Sequence, residues 1–471
     1  MIYLTWIKTS MAGVIWPGAM ARGRARWTWA VHLLLVAGVV LGLAHVNEAL
    51  DLELALRSPW PIVHRFWLPL LFLSAYAVAW LLCGLGKLLA GEARARRFAD
   101  IDAAWREGLQ ALRDADIPLT TTPVYLVLGR PAGSEEALFQ AAGMKLAVAG
   151  TPARKEAPLR IFAHRQGIYI TCAGASLLGR QANHMLEAAI EPRPTGDAVA
   201  SAGSKSDGSR EMIEMYSARL HHVCRLIAEV RAPFGSINGM LMLVPLAASN
   251  DALEARQTAR LAKVDLDTIR AGARVTCPLH VVVCDLEKSP GFADLVAATP
   301  PAQRSRALAC RFPLVPDMNR SELPELVAGG VRWLLQVHLP MRIYPLLRLD
   351  VPDKKIMAQG GPSNEGLVRL LAQMHARAGR LAGLIAGVVD RSEKPLMLGG
   401  VFLAGTGADA AHGQAFVAEA FEELAKARNF VAWAEPALAD ETRLRRAARA
   451  VLAGAAVLGT LLITAGFVWL R

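Results

Sequence analysis

Apolar positions occur in two regimes along this chain, and the change between them divides it into segments. Residues 27–46, 66–85 and 447–470 are nearly continuous apolar runs. Each of these approaches the roughly 20 residues that a helix needs to cross a bilayer. Between the second and third, apolar residues gather in short blocks or recur at helical spacing. Short blocks at 124–128, 159–162, 168–172, 240–246, 279–284 and 396–404 predict strands. Helical periodicity covers 94–116, 211–230, 252–271, 323–335, 367–389 and 415–427. The strand blocks lack alternation, which predicts strands buried on both faces of a mainly parallel sheet. The fold class is therefore α/β, a three-layer domain accompanied by three transmembrane helices.

The predicted plan has an N-terminal segment and membrane hairpin over 1–92, a soluble domain over 93–446 and a C-terminal span over 447–471. Met20 opens the string MARGRARWTW and offers a second start. Residues 191–210, EPRPTGDAVASAGSKSDGSR, carry no apolar spacing and predict a polar surface linker. His32, inside the first apolar run, is expected at the interface or against a neighbouring helix.

Composition sharpens this plan. The chain has 471 residues, 53% of them hydrophobic, which is high for a purely soluble protein. The net charge of +11 invites a nucleic-acid reading. However, the arginines cluster at Arg22, Arg24 and Arg26, at Arg94, Arg96 and Arg97, and at Arg443, Arg445, Arg446 and Arg449. Each cluster abuts an apolar run, as the positive-inside rule requires, so no nucleic-acid partner is expected. With these clusters inside, the first two spans return the chain to the cytoplasm and the large domain stays there. The six cysteines, Cys83, Cys172, Cys224, Cys277, Cys284 and Cys310, form no C-x-x-C pair and read as small buried residues. His221, His222 and Cys224 are adjacent, but on a helix His222 points away from the other two, and no metal is expected there.

The candidate chemistry centres on PVYLVLGRPAGSEEAL, 123–138: a strand, a glycine turn and a helix start. This is the layout of a phosphate-binding loop. Against G-x-x-x-x-G-K-[ST], Gly129 holds the first glycine, Gly133 lies within the loop and Ser134 takes the second glycine position. Glu135 replaces the lysine and Glu136 the hydroxyl residue. Like charges about 4 Å apart repel by roughly 4 kcal/mol at an effective dielectric near 20, so both carboxylates would oppose a triphosphate. They do suit a helix N-terminus.

Four further landmarks follow in order. They are IYITCAGASLLG at 168–179, SINGMLMLVPL at 236–246, CPLHVVVCDLEKSPGF at 277–292 and GGVFLAGTG at 399–407. Together with the loop at 122–138 and the three spans, they resemble the IcmF/TssM proteins of type VI secretion. The likeness runs over nearly the whole chain. It implies a P-loop-NTPase-like domain, here with degenerate nucleotide motifs. Thr171 stands at the acidic position of the family's Asp-Thr-Ala-Gly motif, of which Gly174 remains. Asp285 and Glu287 stand at the lysine and aspartate of its base-reading motif, and Glu287 keeps a carboxylate that could bond a guanine edge.

The altered nucleotide positions lead to the expectation of a non-catalytic pseudo-NTPase scaffold without cofactor, and the resemblance implies a part in the membrane core of a type VI-like secretion system. The alternative is a membrane-anchored GTPase or ATPase switch using unorthodox residues. Implied partners are the membrane, other membrane-core secretion proteins and further copies of the chain; Gly38 with Gly42, and Ala455 with Gly459, place small residues four apart in two spans. The family's periplasmic region lies past the third span, so its lipoprotein contacts are not carried over. The implied location is the bacterial inner membrane, multi-pass, with the large domain cytoplasmic.

The topology is testable. Single reporter cysteines placed at 47–65 and after Arg471 should react with an impermeant periplasmic reagent, and those at 191–210 should not. Periplasmic labelling of 191–210 would reverse the orientation.

Overall fold

The computed structural model describes residues 25–49 and a few positions from 66 to 76, then 98–190, 205–314, 322–347, 363–389 and 396–434 apart from residues 155, 233 and 412, and a few positions between 437 and 449. The chain divides into two units, Met1–Arg97 with Glu435–Arg471, and Phe98–Ala434.

In the first unit, α1 (Ala25–Ala49) contains the one helix window among the described residues, His32–Ala49, that is long and apolar enough to cross a membrane. Its Leu33, Leu34 and Leu41 are exposed. His32 is hydrogen-bonded to the hydroxyl of Tyr76, a residue of the expected second span. Three spans are therefore not seen: the rest of 66–85 and nearly all of 447–471 lie outside the described residues.

The second unit is built on eight strands: β1 (Val124–Leu128), β2 (Val148–Thr151), β3 (Arg160–His164), β4 (Gly167–Thr171), β5 (Gly239–Pro245), β6 (Leu279–Cys284), β7 (Leu308–Arg311) and β8 (Leu398–Leu403). They lie in the order β2-β3-β4-β1-β5-β6-β8-β7. The five central strands, β4 to β8, are parallel. β2 and β3 add antiparallel at one edge and β7 at the other. A mainly parallel sheet is thus present, with antiparallel margins that the apolar pattern did not resolve. β2 and β7 were not expected, because four-residue edge strands carry too little periodicity to register.

The central strands are buried along their whole length, yet they still sort by period two. Val124, Leu126 and Leu128 face one layer, and Tyr125 and Val127 face the other. The first layer is thick. It contains α2 (Ala99–Asp114), α4 (Leu177–Ile190), α5 (Lys205–Arg231), α6 (Ala252–Ala273), α7 (Phe292–Ala298), α8 (Leu323–Trp333), α9 (Leu339–Ile343) and α10 (Asn364–Val389). The second layer has two short helices, α3 (Glu135–Ala141) and α11 (Ala418–Lys426). Two short helices cannot cover a wide sheet with aliphatic side chains alone. Large rings complete the cover, with Phe139 at 4.4 Å from Phe162 and Phe421 at 5.5 Å from Tyr169. The start of α5 at Lys205 turns the last six positions of the expected linker into helix; 191–204 lie outside the described residues.

Parallel strands point their carboxyl ends the same way, so the loops after β1, β4, β5, β6 and β8 gather at one end of the sheet. Gly129 makes this convergence tight. Its φ is +80°, and a Cβ there would lie 2.3 Å from the Leu243 carbonyl oxygen of β5. Gly143, at φ +70°, has open space around it. Gly129→Ala should therefore lower unfolding free energy by about 3 kcal/mol, against about 1 kcal/mol for Gly143→Ala. Chemical denaturation of both variants checks this; equal losses would mean that the β1–β5 approach is not tight.

Candidate functional site

The loop after β1 turns into α3 at Ser134, whose hydroxyl accepts the Ala137 amide at 3.1 Å as an N-cap. Glu135 and Glu136 then occupy the first turn, where the helix dipole favours them. In a phosphate-binding loop the preceding backbone amides face an anion. Here the anion belongs to the chain. The Ala132 amide donates to Asp285 Oδ1 at 2.8 Å.

Asp285 reaches this position because it starts the turn after β6 in a left-handed conformation, φ 68°. The Thr406 hydroxyl donates to Asp285 Oδ1 at 3.2 Å and accepts the Asp285 amide at 3.2 Å. The Thr406 amide donates to Glu287 Oε2 at 3.0 Å. One oxygen of Glu287, the carboxylate that the resemblance offered to a base edge, thus accepts from the backbone. The space beside it is also closed: a Cβ on Gly407 would lie 2.9 Å from Glu287 Cγ, and one on Gly133 3.2 Å from the Thr406 carbonyl oxygen. Burial pushes both acids above the usual carboxylate range. The Ala132 amide pulls Asp285 back, as the Thr406 amide does Glu287.

The inverted charge at the lysine position is balanced from β3. Arg160 Nη1 lies 3.3 Å from Glu135 Oε2, and Arg160 Nη2 pairs with Glu136 Oε1. The guanidinium also donates to the carbonyl oxygens of Pro152, at 3.1 Å, and Gly150, at 3.3 Å, and it lies 5.4 Å from the Phe162 ring centre. The two glutamates respond differently. Burial dominates at Glu135 and raises its pKa, with Arg160 and Thr171 opposing. At the more exposed Glu136, burial is the largest single influence, but the hydrogen bond and charge of Arg160 together with bonds from its own amide and Ser134 outweigh it and lower its pKa. Thr171 closes the ring by donating to the Arg160 carbonyl at 3.4 Å.

The segment after β4 is fixed as well. Gly174 packs so that a Cβ would lie 2.9 Å from Pro158 Cα, a steric reason for glycine. Asp265, fully buried on α6, accepts the amides of Leu177 at 3.0 Å and Leu178 at 2.8 Å, so it caps α4 from another helix. Burial pushes its pKa up to about 7, against the pull of those two amides. Ser176 adds a cap by accepting the Gly179 amide at 3.0 Å.

The structure therefore brings together Gly129, Gly133, Ser134, Asp285 and Glu287 at one end of the sheet, with Glu135, Glu136 and Thr171 gathered around Arg160. Gly174 serves packing. Arg160, Thr406 and Asp265 escaped the sequence reading. Arg160 sits at a strand margin, and only the pairing of β3 with β4 carries it to α3. Asp265 did leave a trace, being an acid among Leu261, Ala262, Leu266 and Ile269 on the buried stripe of α6. His222 bonds Asp102 at 2.7 Å, and Cys224 lies in the core with its thiol raised to about 12 by burial. Among the described residues no three His, Cys, Asp or Glu side chains gather as a metal site. The five described cysteines are free and buried.

Fold and site together define a three-layer α/β domain in which Ala132, Asp285, Glu287 and Thr406 join the strand-end loops by hydrogen bonds. Residues 214–443 match the IcmF-related N-terminal domain, which supports membership of the IcmF/TssM family. The matched range takes in β5 to β8 with Asp285, Glu287 and Thr406, and starts after the loop at 129–136. No curated protein and no solved structure matches the chain.

Removing Arg160 should expose what it neutralises. Arg160→Ala should lower unfolding free energy by about 3 kcal/mol, and Glu135→Gln in the same chain should recover much of the loss. Denaturant titration of the two single variants and the double variant measures this. Strict additivity would show that Glu135 and Arg160 are not coupled.

Proposed function

We propose that this chain is a non-catalytic scaffold of the bacterial inner membrane, a pseudo-NTPase in the membrane core of a type VI-like secretion assembly. Its family supports a secretion component, and the apolar helix in α1 supports membrane attachment. On this reading the spans anchor the chain, the large domain is cytoplasmic, and the work is done by contacts with other membrane-core proteins and further copies. The observation that carries the non-catalytic part is the hydrogen bond from Ala132 to Asp285. A loop amide that would meet a phosphate already has a carboxylate, and a second carboxylate, Glu287, holds the strand-end segment against it. A triphosphate would have to displace both and then face Glu135 and Glu136.

Calorimetric titration of the full chain in detergent tests this. GTP and ATP, with or without Mg²⁺, should give no binding at millimolar concentration. The triple change Glu135→Lys, Glu136→Thr and Thr171→Asp should remain silent, because Asp285 still fills the loop. Adding Asp285→Lys should permit weak binding. Micromolar affinity in the unaltered chain would overturn the proposal in favour of an active nucleotide switch.

A further inference from the structure

A cleft of about 250 Å³ opens beside the closed loop, between the segments after β1, β5 and β6 and the helices α4 and α10. Three cationic side chains line it: Arg130, Lys288 and Arg377. None has an ion-pair partner among the described residues. Arg130 Nη1 donates to Asn183 Oδ1 at 3.0 Å, and Arg377 Nη1 reaches the Leu246 carbonyl at 3.5 Å. Each guanidinium has five N–H donors, so most remain uncommitted. The carboxylate that also lines the cleft, Asp285, is engaged by Ala132 and Thr406. Burial and the neighbouring Arg380 both work against the charge of Arg377. Three cations from three elements thus line one concavity; Lys288 also acts on Asp285 and Glu287, and Arg130 on Glu135, while an incoming anion would meet guanidinium donors that the chain leaves uncommitted.

A fourth group makes the request more specific. Gln373 lies one helical turn before Arg377 on α10 and lines the same cleft. Its Oε1 is buried and has no hydrogen-bond partner. An unmatched buried acceptor is destabilising by about 1–3 kcal/mol, so a ligand that donates a hydrogen bond would be favoured. The volume is below the roughly 300–1,000 Å³ of pockets for drug-sized ligands.

We propose that this cleft binds a small anion bearing a hydroxyl group, its charge held by Arg130, Lys288 and Arg377 and its hydroxyl donated to Gln373. A phosphate monoester of a polyol and a 2-hydroxy acid share this chemistry. The site adjoins the closed loop, whose Ala132 and Asp285 line it, and it gives the scaffold a ligand contact between α4 and α10.

The test is calorimetric titration of the full chain in detergent with glycerol 3-phosphate, malate and inorganic phosphate. At least one of the first two should bind saturably and more tightly than inorganic phosphate, and the stronger of them identifies the source of the anion. Arg130→Gln and Arg377→Gln should each weaken that ligand by about tenfold, the loss of one charged hydrogen bond. Arg130→Lys and Arg377→Lys keep the charge in case the glutamine variants do not fold, and should weaken binding less. Gln373→Leu should remove the preference over inorganic phosphate. No binding of any probe, binding unchanged in both arginine variants, or inorganic phosphate binding as tightly as the others would overturn the proposal. Silence from the small anions leaves the scaffold reading standing, whereas micromolar GTP binding would overturn that reading by itself.

Discussion

The Ala132 amide gives its hydrogen bond to the carboxylate of Asp285, and the arrangement of the strand-end loops depends on that contact. Four features meet there. Gly129 lets β1 turn against the Leu243 carbonyl and aims the loop. The left-handed backbone of Asp285 turns its side chain back over the sheet rather than out to solvent. Thr406 fixes the carboxylate from the far side with its hydroxyl. The Thr406 amide then fixes Glu287. Each group satisfies the next, so the buried acid is held by hydrogen bonds from its own chain. A fully connected polar network of this kind rigidifies the segment it joins.

The same economy governs charge and motion around it. Glu135 would be an uncompensated buried charge without Arg160, and Arg160 in turn needs the two glutamates and the carbonyls of Gly150 and Pro152. Nucleotide switches work by order–disorder transitions in the segments that sense a terminal phosphate. Here the segment after β4 is capped by Asp265 and Ser176 and packed through Gly174 against Pro158. On the proposed scaffold reading, such a segment offers partners a constant surface.

Much of the fold was legible because burial and period agree. The blocks 124–128 and 279–284 became strands with those bounds, and the others shifted by a residue or two. Charge inversion at Glu135 and Glu136 was also legible, as was their preference for a helix start. What stayed hidden depends on contacts remote in sequence. Arg160 meets Glu135 only through the pairing of β3 with β4. Asp285 meets Ala132 across 153 residues, and Thr406 meets Asp285 across 121. Local pattern says that Asp285 cannot act as a lysine, but it does not say that it replaces the phosphate. The partner of Glu287 was hidden for the same reason: it is a backbone amide supplied after β8.

The central claim is that the loop after β1 is closed by its own chain. Amide hydrogen exchange across 129–134 measures that closure directly. The account predicts slow exchange in the full chain, unchanged by Mg²⁺ and GTP, and faster exchange when Asp285→Ala removes the acceptor. Fast exchange in the unaltered chain, or protection that appears only when nucleotide is added, would contradict it.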